Sequence, residues 1–483
     1  MAGTTARQVI GRPWVQAAVL ALVALVLRWS SFGDPDITAD ESFYQTVGLA
    51  MHHGALPYVD VWDRKPLGLF VIYWAIGGIS ADPLAYQLAA CASAAGTALV
   101  ITRIAQRWAG AQGALLAGIV YLVWLTPLFG FGGQSPVFYN FLVAGASLLV
   151  LRVRDGESRA GEAEAAMLLA GLAITVKTSA VFEGAFLGLM LVEHAWRSPS
   201  PRSTVVLRAA GWALLGAAPT LLIAGYYALV GHWAEYWHAM VTANLAKGGD
   251  LATSQLRLVM LWRLLLPVVL LAAGGLALIP RERRGFPGGW LLAALIGLAA
   301  IPNFYPHYAL PLLVVLCACS AAALDRGWIG FAAAVLVAAL GIRAETPFRP
   351  GQAERSRQTF AALAQAIRAH DGGHGLLVYA GPAQLYPLSG NRFATPLTFE
   401  THLSQATERN VSHLDTVAEL SRVLAARPGA VVVPVTVRNG PVIPETWAMV
   451  NTYVRTNCRP VLRRHVEDWL LADDLVVWGD CRR

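Results

Sequence analysis

Apolar runs of bilayer-crossing length recur between residues 14 and 343, and groups of arginine punctuate them. This pattern constrains the fold more than any motif, because a helix crossing the hydrocarbon core needs ~20 mostly apolar residues. Hydrophobic residues make up 56% of the 483-residue chain and charged residues only 14%, which places it with polytopic membrane proteins. The net charge of +7 does not require a nucleic-acid partner, since Lys and Arg first serve to fix topology in such a chain. The first run, 14–29, follows Arg7 and Arg12 without a small-residue cleavage site, so it reads as a retained helix and not a removed signal peptide.

The expected spans are 14–32, 84–102, 111–129, 137–151, 164–177, 179–196, 208–230, 258–279, 288–301, 308–324 and 328–343. The segment 66–80, PLGLFVIYWAIGGIS, is about 15 residues long and suits a helix lying in the interface. If it does not cross, Arg7, Arg12, Arg103, Arg107, Arg152, Arg154, Arg159, Arg197, Arg202, Arg281, Arg283, Arg284 and Arg326 share one side. The result is about eleven spans, a cytoplasmic N-terminus and an outer C-terminus. Segments 33–83, 130–136, 231–257 and 302–307 then face outward. From about residue 344 the composition changes. Phe360, Leu363, Ala364 and Ile367 have helical spacing within 352–370, while 375–380 and 430–435 read as buried strands. A second helical pattern, 414–426, is ended by Arg427-Pro428-Gly429. The expected organisation is a polytopic α-helical domain over 1–343, with a first external loop at 33–83, and a small α/β extracytoplasmic domain over 344–483. Cys91, Cys317 and Cys319 lie in apolar spans; Cys458 and Cys481 are able to pair if their region faces an oxidising compartment.

In a chain so poor in charge, residues 34–66 gather Asp34, Asp36, Asp40, Glu41, Asp60, Asp63, Arg64 and Lys65. Charges concentrated at a membrane surface point to chemistry. Thr38 and Glu41 have the spacing of a capping box opening a helix, and Phe43, Tyr44, Val47, Ala50 and Met51 share one face of it. Capping alone would account for Asp40 and Glu41. The run Asp60-Val61-Trp62-Asp63-Arg64-Lys65-Pro66 also has a plain reading. It is a juxtamembrane turn with Trp62 in the aromatic belt and two bases drawn to lipid phosphates. Bases that attract any lipid phosphate also suit one that is a substrate. Transfer of a group from a lipid phosphate needs a base at the acceptor hydroxyl and a cation where phosphate charge develops. This loop carries both. Asp60 and Asp63 are supporting acids, and a divalent cation held among Asp34, Asp36, Asp40, Asp60 and Asp63 is left open, so the metal is unknown.

These residues resemble a known group. Asp40-Glu41 after the first span, followed by the DxxDRKPLG run, is similar to the GT-C membrane glycosyltransferases. The branch it most resembles includes protein O-mannosyltransferases and lipid A aminoarabinose transferases. Gly171-Leu-Ala-Ile-Thr-Val-Lys177-Thr-Ser-Ala and Phe304-Tyr305-Pro306-His307-Tyr308 resemble later blocks of that branch. Tyr386-Pro387-Leu388-Ser389-Gly390 and Arg392-Phe-Ala-Thr395 look like its C-terminal domain. The resemblance implies an inverting transfer of a sugar from a polyprenyl-phosphate donor to a hydroxyl of a glycan, lipid or protein, at the outer face of the bacterial cytoplasmic membrane. It implies Asp40, with Glu41, as the catalytic acid pair and Lys65 as the donor-phosphate contact. Arg64, His307, Tyr308 and Lys177 are further phosphate candidates. Two departures stand out. Phe43 replaces an arginine found in some relatives. Arg64 replaces an acid found in aminoarabinose transferases, which argues for a neutral sugar.

Each lesser candidate has a structural alternative. His307 and Tyr308 are able simply to begin a helix, and Lys177 to snorkel to the surface. His232, Trp233, Glu235, Tyr236, Trp237 and His238 read first as an interface anchor. His52-His53 is a weak metal signal, because adjacent histidines do not share a helix face. The rival functions are a secondary transporter, which would show paired broken helices, and a non-catalytic envelope-assembly subunit.

Overall fold

The computed structural model describes residues 11–246, 251–437 and 440–481, so Arg7 lies outside the described residues. The chain forms two compact units. The first comprises Met1–Ser30, Leu88–Ile223 and Gly249–Arg349; the second comprises Ser31–Gln87, Ala224–Gly248 and Pro350–Arg483. The loop 33–83 therefore packs in one body with the C-terminal region.

Among the described residues, seven helices are long and apolar enough to cross a membrane, from Pro13–Ser31 to Gly327–Ala344. The shorter helices Ala111–Trp124, Glu162–Val176, Val181–Arg197 and Gly285–Ala299 occupy the other expected spans. Helix Leu67–Gly77 has 11 residues, about 16 Å of rise, roughly half the thickness of a hydrocarbon core. Pro306–Leu324 is the most buried of the long set, with 72% of its apolar window covered. Small residues make this packing possible. Any Cβ on Gly275 would collide with the Cys319 carbonyl, so Leu251–Leu278 and Leu310–Leu324 meet backbone to backbone.

Charged contacts gather several of the arginine-bearing turns at one end of this unit. Arg107 pairs with Asp155 and Glu157 and takes a hydrogen bond on its carbonyl from Arg283. Arg152 pairs with Glu162 and Arg154 with Glu193, at 2.9 and 2.5 Å. At the opposite end of helix Ser135–Arg154, the buried Arg28 guanidinium donates to the carbonyls of Gly130, Phe131 and Gly132 at 2.6, 2.8 and 3.2 Å. One always-charged fork thus satisfies three carbonyls of a turn that has no helix or sheet to do so.

The second unit is built on a four-stranded sheet of order β1-β2-β4-β3: β1 Leu376–Val378, β2 Ala430–Pro434, β3 Arg459–Glu467 and β4 Ala472–Gly479. β1 and β2 are parallel; β2–β4 and β4–β3 are antiparallel. Both faces of the sheet are covered. Leu376, Val378, Val432 and Val477 face Phe360, Leu363 and Ile367 of helix Gln352–His370. Leu377, Val431 and Val433 face Leu420 and Val423 of Thr416–Ala425 and Val450 and Val454 of Pro444–Asn457. Double burial explains why β1 and β2 read as continuous apolar runs. The β3–β4 hairpin was absent from the sequence reading: Arg459, Arg463, Arg464 and His465 stud an edge strand, where charge guards against pairing with another chain.

The first loop is fastened to this domain. Trp62, only 1% exposed, sits in the core on the Leu377 face, and its backbone N–H donates to the Pro396 carbonyl at 2.9 Å. It does not lie in an aromatic belt, because the sheet domain buries it. The Trp469 N–H donates to the Ile37 carbonyl and its indole to Asp34, at 2.9 and 3.3 Å. Cys458 and Cys481 form a disulfide. Helix Ala39–Met51 forms where expected, but residues 41–48 are buried on all sides and not along a single stripe. The reason is Gly48, which lets the helix approach the Tyr73 carbonyl carbon of Leu67–Gly77 so closely that a Cβ would lie 2.7 Å from it.

Candidate functional site

In the second unit, three turns bring together residues far apart in sequence. Thr38 accepts from the Glu41 N–H at 3.4 Å and starts the helix carrying Asp40. Asp60 accepts from the Leu56 N–H at 2.7 Å, and Tyr58 takes a positive φ of 72° to close the turn on Val61. Asp63 accepts from the Lys65 N–H at 3.0 Å, an Asx turn that aims the lysine. The Tyr58 hydroxyl then donates to the Lys65 carbonyl at 2.9 Å. Burial, with neighbouring Tyr227, Tyr236 and Asp63, pushes the Tyr58 phenol well up, so it stays a neutral donor.

As a result the Lys65 ammonium lies 3.2 Å from Asp40 and 3.6 Å from Asp63. The rings of Tyr44 and Phe399 flank it at 5.1 and 5.6 Å. Asp40 and Lys65 are each 21% exposed, whereas Glu41 is wholly buried. Of the acidic pair, only Asp40 is open to solvent. Phe43 packs edge-on against Phe399 at 5.0 Å, which turns the position of the missing arginine into core.

Arg64 pairs with Glu408 at 2.6 Å, both sides largely buried. That pair is neutral as a unit, so the preference for a neutral sugar drawn from a lone Arg64 has no electrostatic basis there. Asp60 serves its turn and is exposed. Asp34 receives Trp469, and Asp36 receives the Gln384 carboxamide at 2.7 Å. These acids do not join Asp40 and Asp63 around a cation. Among the described residues no three His, Cys, Asp or Glu side chains are placed to hold a metal. His402 was missed by the sequence reading. It is buried against Trp62 and Phe399, at 4.8 and 5.3 Å between ring centres, and burial pushes its imidazole down to about 4. No motif marks it.

The first unit holds a separate constellation. Lys177 occupies an extended break between Glu162–Val176 and the turn Thr178–Ala180, with its ammonium 4.8 Å from the Tyr308 ring centre. His307 stacks on Tyr305 and meets Tyr308 edge-on, at 5.9 and 4.6 Å. Arg257 caps the row 4.2 Å from the Tyr305 ring centre and was also missed. Its only signal is a guanidinium near the start of an apolar helix, Leu251–Leu278. His52 stacks on Trp74 and binds its carbonyl at 2.8 Å, a structural use. In the 231–257 segment Tyr236 is buried on Tyr227, while Trp233 and Trp237 stay exposed.

No protein-family model matches the chain, and no characterised protein matches it by sequence. Solved structures do. ArnT from Cupriavidus metallidurans, bound to undecaprenyl phosphate, aligns with a TM-score of 0.61 and 15% identity, over 96% of this chain and 98% of that one. Its apo state aligns at 0.63 with 15% identity, over 96% and 97%. The chain has a GT-C fold. The mycobacterial arabinofuranosyltransferase AftD aligns at 0.51 with 13% identity, over 98% of this chain but 41% of AftD. The GT-C fold here combines a multi-pass helical membrane unit with a small C-terminal sheet.

Proposed function

We propose that this protein transfers a sugar from a polyprenyl-phosphate donor to an acceptor hydroxyl. The observation that carries the reading is the Asp40–Lys65 pair, 25 residues apart in sequence and 3.2 Å apart in space, partly open and walled by aromatic rings. Asp40 takes the proton of the acceptor hydroxyl as its oxygen attacks the anomeric carbon. The bond from that carbon to the phosphate oxygen breaks, and the phosphate departs with the bonding pair onto the Lys65 ammonium. One displacement inverts the anomeric centre. Asp63 holds Lys65 in place throughout, and Arg64 acts through Glu408 to fix the segment.

Binding of undecaprenyl phosphate by ArnT, a protein of the same fold, supports a lipid-phosphate donor. Lys177 and Arg257, with His307, Tyr305 and Tyr308, form a second cationic set suited to lipid phosphate, and Lys177→Ala tests it separately. The Cys458–Cys481 disulfide favours an oxidising, extracytoplasmic setting for residues 350–483, with the N-terminus in the cytoplasm of a bacterial cell. The acceptor is a glycan, lipid or protein. The test supplies radiolabelled polyprenyl-phosphate sugars to the purified protein and to Asp40→Asn and Lys65→Ala. Full transfer by both variants would sink these roles. Solute uptake without transfer under any donor would favour a transporter instead.

A further inference from the structure

We propose that Asn244 is a positioning residue for Lys65, set against the lysine-bearing turn by one widened helical turn. The inference deepens the glycosyl-transfer reading and rests on it for its catalytic consequence, while the placement itself is measured without turnover. Within the second unit, the α-helical turn Trp233–Trp237 passes into a π-helical turn, His238–Thr242, and α-helix resumes over Ala243–Leu245. The Ala243 N–H accordingly reaches back five residues to the His238 carbonyl. Such turns are rare and recur at functional sites.

In an α-helix the Ala243 N–H would serve the Ala239 carbonyl, four residues back. Here the Asn244 carboxamide serves it instead, donating to the carbonyls of Ala239 and Met240 at 3.0 and 3.2 Å. The same carboxamide nitrogen reaches the Arg64 carbonyl at 3.5 Å. Asn244 therefore ties the widened turn to the residue that precedes Lys65. Its side chain is exposed, so removing it breaks these ties without opening a core.

The widened turn also aligns one face of the segment. Side chains four residues apart drift by about 40° per step around an α-helix, so the third member of such a row stands about 80° from the first. A turn that takes in an extra residue absorbs this drift. Tyr236, Met240 and Asn244 all meet the lysine-bearing turn. Tyr236 packs on the Tyr58 ring at 5.9 Å, and the Met240 sulfur lies 3.8 Å from the Tyr58 hydroxyl. That hydroxyl is the one that donates to the Lys65 carbonyl. Tyr227 stacks on Tyr236 at 5.0 Å and donates to the Pro57 carbonyl at 3.0 Å. From the other flank the His238 imidazole donates to the Val411 carbonyl at 2.9 Å, and Ala243 enters the core that holds Trp62. The carbonyls of Pro57, Arg64 and Lys65 are thus each held by a side-chain donor. Packing alone accounts for Tyr236 and Ala243; it does not account for an amide that bridges the widened turn and Arg64.

Asp40 and Asp63 hold the Lys65 ammonium where it is needed only while the lysine backbone stays in place. A shift of ~1 Å at a reacting group costs about 100-fold in rate. The experiment compares the full-length wild type in nanodiscs with Asn244→Ala and with Asn244→Asp, which keeps the shape but cannot donate. Amide hydrogen exchange within residues 56–66 should quicken by about 3- to 10-fold in both variants, the worth of a modest hydrogen bond. Exchange in Thr416–Ala425 and Pro444–Asn457, and the unfolding temperature, should match the wild type. The single-turnover rate constant at saturating polyprenyl-phosphate sugar should fall by roughly 10- to 100-fold. A merely structural residue would reduce the fraction of active protein and leave that rate constant unchanged. The proposal is overturned if exchange in 56–66 is unaltered in both variants. It is equally overturned if exchange quickens throughout the sheet domain with a lower unfolding temperature, or if the rate constant is unchanged in active protein. A wild type that transfers no sugar from any donor refutes the glycosyl-transfer reading, whereas the exchange result decides the placement of Asn244 by itself.

Discussion

Asp40→Asn should separate donor binding from catalysis in opposite directions. In the structure the Lys65 ammonium is held by Asp40 at 3.2 Å and by Asp63 at 3.6 Å. Coulomb attraction across the first pair is roughly 5 kcal/mol at an effective dielectric of about 20. Both partners are about a fifth exposed (21%), so hydration and screening reduce the net worth to about 1–2 kcal/mol. A donor phosphate reaching Lys65 must compete with that pairing. The asparagine substitution keeps the shape, removes the competing charge and leaves Asp63 to position the lysine. Donor-phosphate affinity should therefore rise by about 5- to 30-fold. The rate of transfer should fall by roughly 100- to 10,000-fold, the usual worth of a general base. Binding is read from intrinsic tryptophan fluorescence on titrating polyprenyl phosphate, and transfer from single-turnover release of labelled product. If the variant binds the lipid more weakly and loses rate in proportion, Asp40 is structural. If it keeps the wild-type rate, Asp40 is not the base.

Further outcomes test the supporting structure. His402 has its folded value depressed from 6.5 to about 4, so between those values the unfolded chain binds the extra proton and stability falls as pH drops. The loss is at most roughly 3 kcal/mol, and His402→Leu should flatten that part of a melting-temperature profile; an unchanged slope refutes the assignment. Asp36 acts with the opposite sign: its raised value makes stability decline as pH rises above 3.8, so Asp36→Asn should reduce that decline in the same assay. Removing the Cys458–Cys481 bridge, 23 residues apart, with Cys458→Ser should cost about 2–4 kcal/mol, read as a lower unfolding temperature. Trp62→Ala should cost about 3–5 kcal/mol and open the 34–66 segment to protease, since the indole is a core side chain.

The membrane architecture was legible because it obeys two simple rules, apolar length and arginine placement. Leu67–Gly77 illustrates this: its short apolar run suited an interfacial helix, the arginine placement decided against a crossing, and it falls in the second unit. β1 and β2 were legible because burial on both faces leaves nothing polar in them. The β3–β4 hairpin was not, because an exposed edge strand carries the residues of a loop. Trp62 was misjudged for a related reason. Next to Arg64 and Lys65 an indole looks interfacial, and only the sheet domain, some 300 residues later, makes it core. Local pattern cannot report a partner that distant in sequence.

The candidate site divides along the same line. Asp40 and Lys65 were singled out because acids and bases are scarce in this chain, so any cluster stands out, and the structure places them 3.2 Å apart. What each charge is used for depends on partners supplied from elsewhere. Glu408 neutralises Arg64, and Phe399 packs on Phe43 while lining the Lys65 side chain. The two departures from the family pattern are thus compensated by one segment, 399–408. This coupling gives the segment a testable role: Phe399→Ala should unpack Phe43 and loosen Lys65 together. A site built from the first loop alone would lose stability only, at about 3–5 kcal/mol for a buried ring. A site that depends on the segment should also lose donor-phosphate affinity, and Phe399→Leu, which keeps much of the packing, should restore most of it. Equal donor binding by wild type and Phe399→Ala, in protein that remains folded, would refute that dependence.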